Sequence, residues 1–238
     1  MSGHSKWATI KRQKGANDAK RGAIFTKLGN AIAVAAKNGG DPDMNPTLAL
    51  AIDKAKSANM PNANIEKSIK RGTGELGGAA IEEYVFEGYG PGGIGIIVEA
   101  ASDNKNRITA EVRTAFSKNG GNIAESGSVA FQFTRKGVIR VKSGDDAEET
   151  LLAVLDAGAE DAGEDEDNII VYTAMQDLGK VRNAIKELGI EVIDAELSYE
   201  PNQTMNLEGD SAQKAIKLME AIEDIEDVTN TYSNFDIA

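Results

Sequence analysis

Residues 137–199 read GVIRVKSGDDAEETLLAVLDAGAEDAGEDEDNIIVYTAMQDLGKVRNAIKELGIEVIDAELSY. Val138 to Val141 is β-branched and short, as a strand requires. Residues 147–157 place Leu151, Leu152, Val154 and Leu155 at helical spacing. Residues 159–172 read as a hairpin, residues 178–188 as a second helix and residues 191–199 as a closing strand. The order is strand, helix, strand, strand, helix, strand, which is the split βαβ arrangement.

The same grammar starts just upstream and breaks off. Tyr84-Val85-Phe86 and residues 94–98 read as strands. Residues 106–118 read as a helix with Ile108, Val112, Ala115 and Phe116 facing inward. Residues 122–133 read as a hairpin turning at Ser126-Gly127-Ser128. The missing helix and strand occur at the end of the chain, in residues 212–222 and 228–235. The economical reading is one split βαβ domain interrupted by another, and a single larger sheet is the alternative.

Before Ile81 the pattern is helical. Asn17 or Asp18 can cap a helix whose apolar stripe is Ile24, Phe25, Leu28 and Ile32, stopped at Gly39-Gly40. Asn45-Pro46 is a cap followed by proline at the first helical position. Leu48, Ile52 and Ala55 follow as a buried stripe. A third helix starts at Asn62, carries Ile65 and Ile69, and ends at Gly72, with Lys70 and Arg71 in its last turn. Residues 72–80 hold four glycines and read as a linker. The expected fold class is α+β, a three-helix domain followed by two split βαβ (ferredoxin-like) domains, one inserted in the other. The boundaries are 1–80, 81–133 with 207–238, and 134–206.

The chain has 238 residues and a formal net charge of −12. That charge is unevenly spread. Residues 1–80 hold 13 Lys and Arg against 6 Asp and Glu, whereas residues 81–238 hold 13 against 32. Before Gly39, Asp18 is the only acid. Such asymmetry marks a polyanion-binding end, and the competing reading is a basic segment that docks on the acidic body. Lys6, Lys11, Arg12, Lys14, Lys20, Arg21 and Lys27 can neutralise phosphates, joined by Lys70 and Arg71. Trp7 either stacks on an exposed base or anchors the arm to the bundle. The acidic body repels phosphate at contact range, so the basic end is expected to project from it, which a separate domain on the glycine linker allows.

Other chemistry is poorly provided for. There is no cysteine and one histidine, His4, so neither a zinc site nor a nucleophilic triad is expected. Gly88, Gly90 and Gly93 match the G-x-G-x-x-G spacing, but residues 94–98 that follow are strand-like, and a dinucleotide site needs a helix there. The acidic stretch Glu160, Asp161 and Glu164 to Asp167 does not follow a calcium-loop pattern. No apolar run approaches roughly 18 residues, and the N-terminus lacks a secretory apolar region. The expectation is a cytoplasmic protein without catalytic site, cofactor, metal, small-molecule substrate or membrane partner.

Several stretches carry a family resemblance. They are Gly3-His4-Ser5-Lys6-Trp7, Asp18-Ala19-Lys20-Arg21, Ile24-Phe25-Thr26-Lys27, Gly39-Gly40-Asp41-Pro42, Ala51-Ile52-Asp53-Lys54-Ala55, residues 87–93 (EGYGPGG), Gly127-Ser128-Val129-Ala130 and Gly158-Ala159-Glu160-Asp161. In that order they resemble the YebC/PmpR family, which includes bacterial regulators and the mitochondrial translational activator of cytochrome oxidase. The resemblance implies an N-terminal helical domain and an interrupted middle domain. It implies a DNA-binding transcriptional regulator, and as the alternative a ribosome-associated translation factor that binds ribosomal or transfer RNA. Where the family often carries a second histidine, this chain reads Lys11-Arg12-Gln13-Lys14, which keeps the charge.

Overall fold

The computed structural model describes residues 18–144, 146–165 and 167–237, and the side chains at 18–21 lie outside that description. The chain is α+β and divides into two compact units, residues 135–200 and the residues on either side of them.

The unit of residues 135–200 takes most of strand β4 (Phe133–Lys142), then helix α5 (Ala147–Asp156), β5 (Asp161–Asp165), β6 (Asn168–Thr173), helix α6 (Leu178–Glu187) and β7 (Val192–Pro201). The strands lie in the order β5-β6-β4-β7. This is the split βαβ order, and β5 and β6 form the expected hairpin, with Asp165 opposite Asn168. Asp146 caps α5, its carboxylate accepting from the N–H of Glu148 and Glu149. Ile139, Val141, Val154, Ile169, Val171, Val181 and Ile185 are buried.

The other unit opens with helices α1 (Asp18–Ala36), α2 (Pro46–Ser57) and α3 (Asn62–Gly72). Asn45 caps α2 by accepting from Leu48 N–H at 3.1 Å. Its Nδ2 donates to the carbonyls of Ala35 and Gly39, both at 2.8 Å, so one side chain closes α1 and starts α2. Ile32, Leu48, Ile52, Ala55 and Ile65 form the bundle core, as the helical spacing predicts. Gly72 ends α3 and also lets it approach α1, since a Cβ there would lie 2.1 Å from Ala33 O.

A four-stranded sheet follows in the order β3-β1-β2-β9, built from β1 (Glu82–Tyr89), β2 (Gly95–Ser102), β3 (Asn122–Ala124) and β9 (Val228–Ser233). Helices α4 (Lys105–Lys118) and α7 (Gly209–Glu223) cover one face through Ile108, Val112, Phe116, Leu218, Met219 and Ile222, against Ile96 and Val98. The strands of the two units lie in separate sheets, which removes the alternative of a single larger sheet. Gly88, Gly90 and Gly93 lie in and around the β1–β2 connection and a strand follows them, as expected.

Two expectations are corrected. Residues 122–133 do not form a hairpin: β1 occupies the strand position beside β3, pairing Gly88 with Ile123, and the rest of that segment turns around Glu87. The strand expected over residues 228–235 breaks at Asn234. Its buried side chain accepts from Gly95 N–H at 2.8 Å and donates to Gln132 Oε1 at 2.8 Å, and β10 (Phe235–Ile237) pairs instead in parallel with β8 (Met205–Leu207). The basic end expected to project lies mostly outside the described residues, and the bundle behind it packs on the sheet. Ala33 of α1 is fully buried in a cluster with Ile81 and Ala101, because apolar area on both elements is hidden better by contact than by projection.

Candidate nucleic-acid interface

Helix α1 is buried progressively along its length. Gly22 and Ala23 are exposed, whereas Asn30, Ile32, Ala33, Ala35 and Ala36 are buried. The back half is an anchor; ahead of it residues 24–29 are half-buried, with Phe25 and Leu28 packed against the bundle core, and Gly22 and Ala23 are open to solvent. Lys20 and Arg21 belong to the first turn, and their side chains lie outside the described residues. Lys6, Trp7, Lys11, Arg12 and Lys14 lie outside the described residues.

The remaining three sequence-derived cations are placed differently from one another. Lys70 is exposed at the end of α3. Lys27 donates to the backbone carbonyl of Glu223, the last residue of α7, where the helix dipole presents its negative end. Arg71 donates to Asn30 Oδ1 at 3.3 Å and to Asp103 Oδ2 at 3.5 Å.

Sequence reasoning missed the groups around Arg71. Asn30 donates in turn to Ala101 O at 3.2 Å. Asp103 also accepts from Arg107 at 3.1 Å, and Arg107 reaches Asp227 at 2.7 Å. Ser102 donates to the same Asp227 oxygen at 2.6 Å. Pairing with Asp227, by hydrogen bond and by charge, raises the Arg107 pKa further. These residues line a polar cleft of about 550 Å³. They lie far apart in sequence, and no short motif joins them.

Glu87 is a second polar centre that the sequence does not advertise. Its carboxylate accepts from the N–H of Gly127 at 2.6 Å, Val129 at 2.6 Å and Ala130 at 2.8 Å. Burial alone pushes the carboxyl up. The three N–H donors more than reverse this and hold it below the ordinary glutamate value. The 125–132 turn is thereby fixed, and Tyr89 adds a hydrogen bond to Ser128 O at 2.7 Å.

Among the described residues no group of three or more His, Asp or Glu side chains could hold a metal ion. No described helix is long and apolar enough to cross a membrane.

Two family models match this chain. Residues 5–75 match the TACO1/YebC protein N-terminal domain, and residues 81–235 match the TACO1/YebC second and third domain. The chain belongs to the TACO1/YebC family. Relatives named "Probable transcriptional regulatory protein" include one from Halothermothrix orenii, 50% identical across all of this chain and 96% of its own length. Another, from Acidobacterium capsulatum, is 51% identical across all of this chain and 97% of its own. The crystal structure of a conserved hypothetical protein from Aquifex aeolicus matches with a TM-score of 0.90 at 43% identity, covering 98% of both chains. The α+β fold read from the sequence is therefore that of the TACO1/YebC proteins.

Proposed function

We propose that this TACO1/YebC protein is a nucleic-acid-binding regulator that meets DNA, as a transcriptional regulator, through the basic segment ahead of α1 and the front half of that helix. The observation that carries this is the gradient along α1. Gly22 and Ala23, next to its basic first turn, are exposed, while its apolar end is anchored on the sheet of an acidic body. Anchoring supplies rigidity, and the cations of the basic end supply phosphate contacts. The names of the relatives support a regulatory role. The proposed contacts are Lys6, Lys11, Arg12, Lys14, Lys20, Arg21 and Lys70, with Trp7 as the stacking or anchoring aromatic. Lys27 and Arg71, both bonded to the body, serve in the first place to position α1. The protein acts in the cytoplasm on a polyanion, with no cofactor and no catalytic step. Its domain map is 1–80, 81–133 with 207–238, and 134–206.

One observation favours a second reading, a ribosome-associated factor that binds RNA. Reading a major groove asks for a helix with its arginine and amide side chains turned outward. In α3, Arg71 turns to Asp103 and Asn30, and the last residue, Gly72, packs on α1. Recognition through phosphates is then better served than recognition of base edges.

Mobility shifts on promoter-derived and unrelated DNA, beside sedimentation of the protein with ribosomes, separate the two. Preference for a DNA sequence supports the regulator of transcription. Salt-sensitive co-sedimentation without DNA preference supports the RNA factor. Binding to neither overturns the proposal.

A further inference from the structure

We infer that the outward face of α4 is a second phosphate-contacting surface, adjoining the basic end of α3; this rests on the nucleic-acid reading above. The region that follows the helical bundle is strongly acidic, yet α4 carries Lys105, Arg107, Arg113 and Lys118 against a single acid, Glu111. Ile108, Val112 and Phe116 turn to the sheet. At about 100° per residue the outward row is therefore centred on Arg107, Ala110, Thr114 and Ser117, flanked by Asn106 and Arg113 on one edge and by Lys118 and Glu111 on the other. All eight are exposed, and Glu111 is the one carboxylate among them.

Lys136, Lys142 and Lys214 each sit on a carboxylate, Glu160, Glu191 and Asp210 respectively. Arg107 is held by Asp103 and Asp227. Lys105, Arg113 and Lys118 make no ion pair among the described residues. Lys180 and Lys217 of the acidic region also make no ion pair among the described residues, but each is alone in this on its helix, whereas α4 carries three such cations. An acidic body that leaves arginine and lysine unneutralised on one helix presents a local positive field.

Asp103 gives the surface its continuity. It accepts from Arg71 at the end of α3 and from Arg107 in α4, so those two helix ends adjoin. Lys67 precedes Arg71 by one turn on the same face of α3, and Lys70 precedes it by one residue. Both are exposed and make no ion pair among the described residues. Arg113 and Lys118 are separated by about 7.5 Å along α4 and by about 140° around it, so they extend to the two edges of the outward row. The outward row lacks the aromatic and large apolar anchors that protein partners use. Its occupant is therefore the phosphate backbone rather than an acidic protein.

The test uses the full chain with a mixed-sequence duplex DNA and a single-stranded RNA as probes, and compares wild type with Arg113→Ala/Lys118→Ala. Loss of two phosphate contacts weakens binding roughly ten- to thirty-fold at about 0.15 M salt and flattens the log–log salt slope by about 1.4 for RNA or 1.8 for DNA. The charge-preserving pair Arg113→Lys/Lys118→Arg should bind like wild type, and circular dichroism checks the fold of both. Wild-type binding with an unchanged alanine pair overturns the inference and leaves the nucleic-acid reading standing. Equal losses in both pairs mark a structural role and overturn it too. A wild-type chain that binds neither probe overturns both readings.

Discussion

Asn30 of α1 donates from Nδ2 to the backbone carbonyl of Ala101 in β2 at 3.2 Å. Asn30 is 4% exposed and Ala101 2% exposed. The same asparagine accepts from Arg71. One buried amide thus joins α1, α3 and the sheet.

Replacing Asn30 with Leu leaves a buried carbonyl without its side-chain donor and removes one acceptor from Arg71. The expected loss is about 1–3 kcal/mol of unfolding free energy. Denaturant titration of the full chain measures it. A variant as stable as wild type would mean that the amide adds nothing to the docking of α1.

Gly72→Ala sets two effects against each other. Helix propensity alone favours alanine over glycine by about 1 kcal/mol. The added Cβ would lie 2.1 Å from Ala33 O and 2.8 Å from the Ala36 Cβ, and backbone cannot yield as a flexible side-chain tip can. Overpacking of this kind costs about 1–3 kcal/mol and should win. The sign of the change in melting temperature decides between them, and a rise would contradict the close approach of α1 and α3.

Glu87→Gln tests the turn over residues 125–132. The carboxylate offers two charged oxygens to three N–H donors, and the amide offers one neutral oxygen. We expect a loss of about 1–3 kcal/mol at neutral pH. The pH dependence has a defined sign. The folded carboxyl lies below its unfolded value of about 4.3, so the stabilisation is fully present above that value and is lost as pH falls through the lower folded value. The gap between wild type and Gln should be constant above about pH 5 and close in acid. A gap that widens as pH falls would reverse the assignment.

These sites divide by how they appear in a sequence. The α+β class and the inserted split βαβ unit were legible, because apolar periods of two and 3.6 are local and survive without the rest of the chain. Asn45-Pro46 was legible for the same reason. The place of β1 beside β3 was not, since Glu87 to Tyr89 pair with residues 122–124 across a span that no local rule specifies. The break at Asn234 depends on Gly95 and Gln132, which are remote in sequence. Of the cations, charge alone could not separate Lys70, which is exposed, from Lys27 and Arg71, which bond to α7, α1 and the β2–α4 connection. Charge is a property of composition; the partner of a charge is a property of the fold.

The most direct test of the central claim is the salt dependence of nucleic-acid affinity for the full chain and for Lys11→Ala/Arg12→Ala/Lys14→Ala. With about five phosphates contacted, log affinity should fall with log salt at a slope of about −3.5 for single strands to −4.5 for duplex. The triple variant should lower that slope by about two to three and weaken all sequences alike. An affinity independent of salt, or a triple variant that loses one sequence while keeping others, would contradict the account.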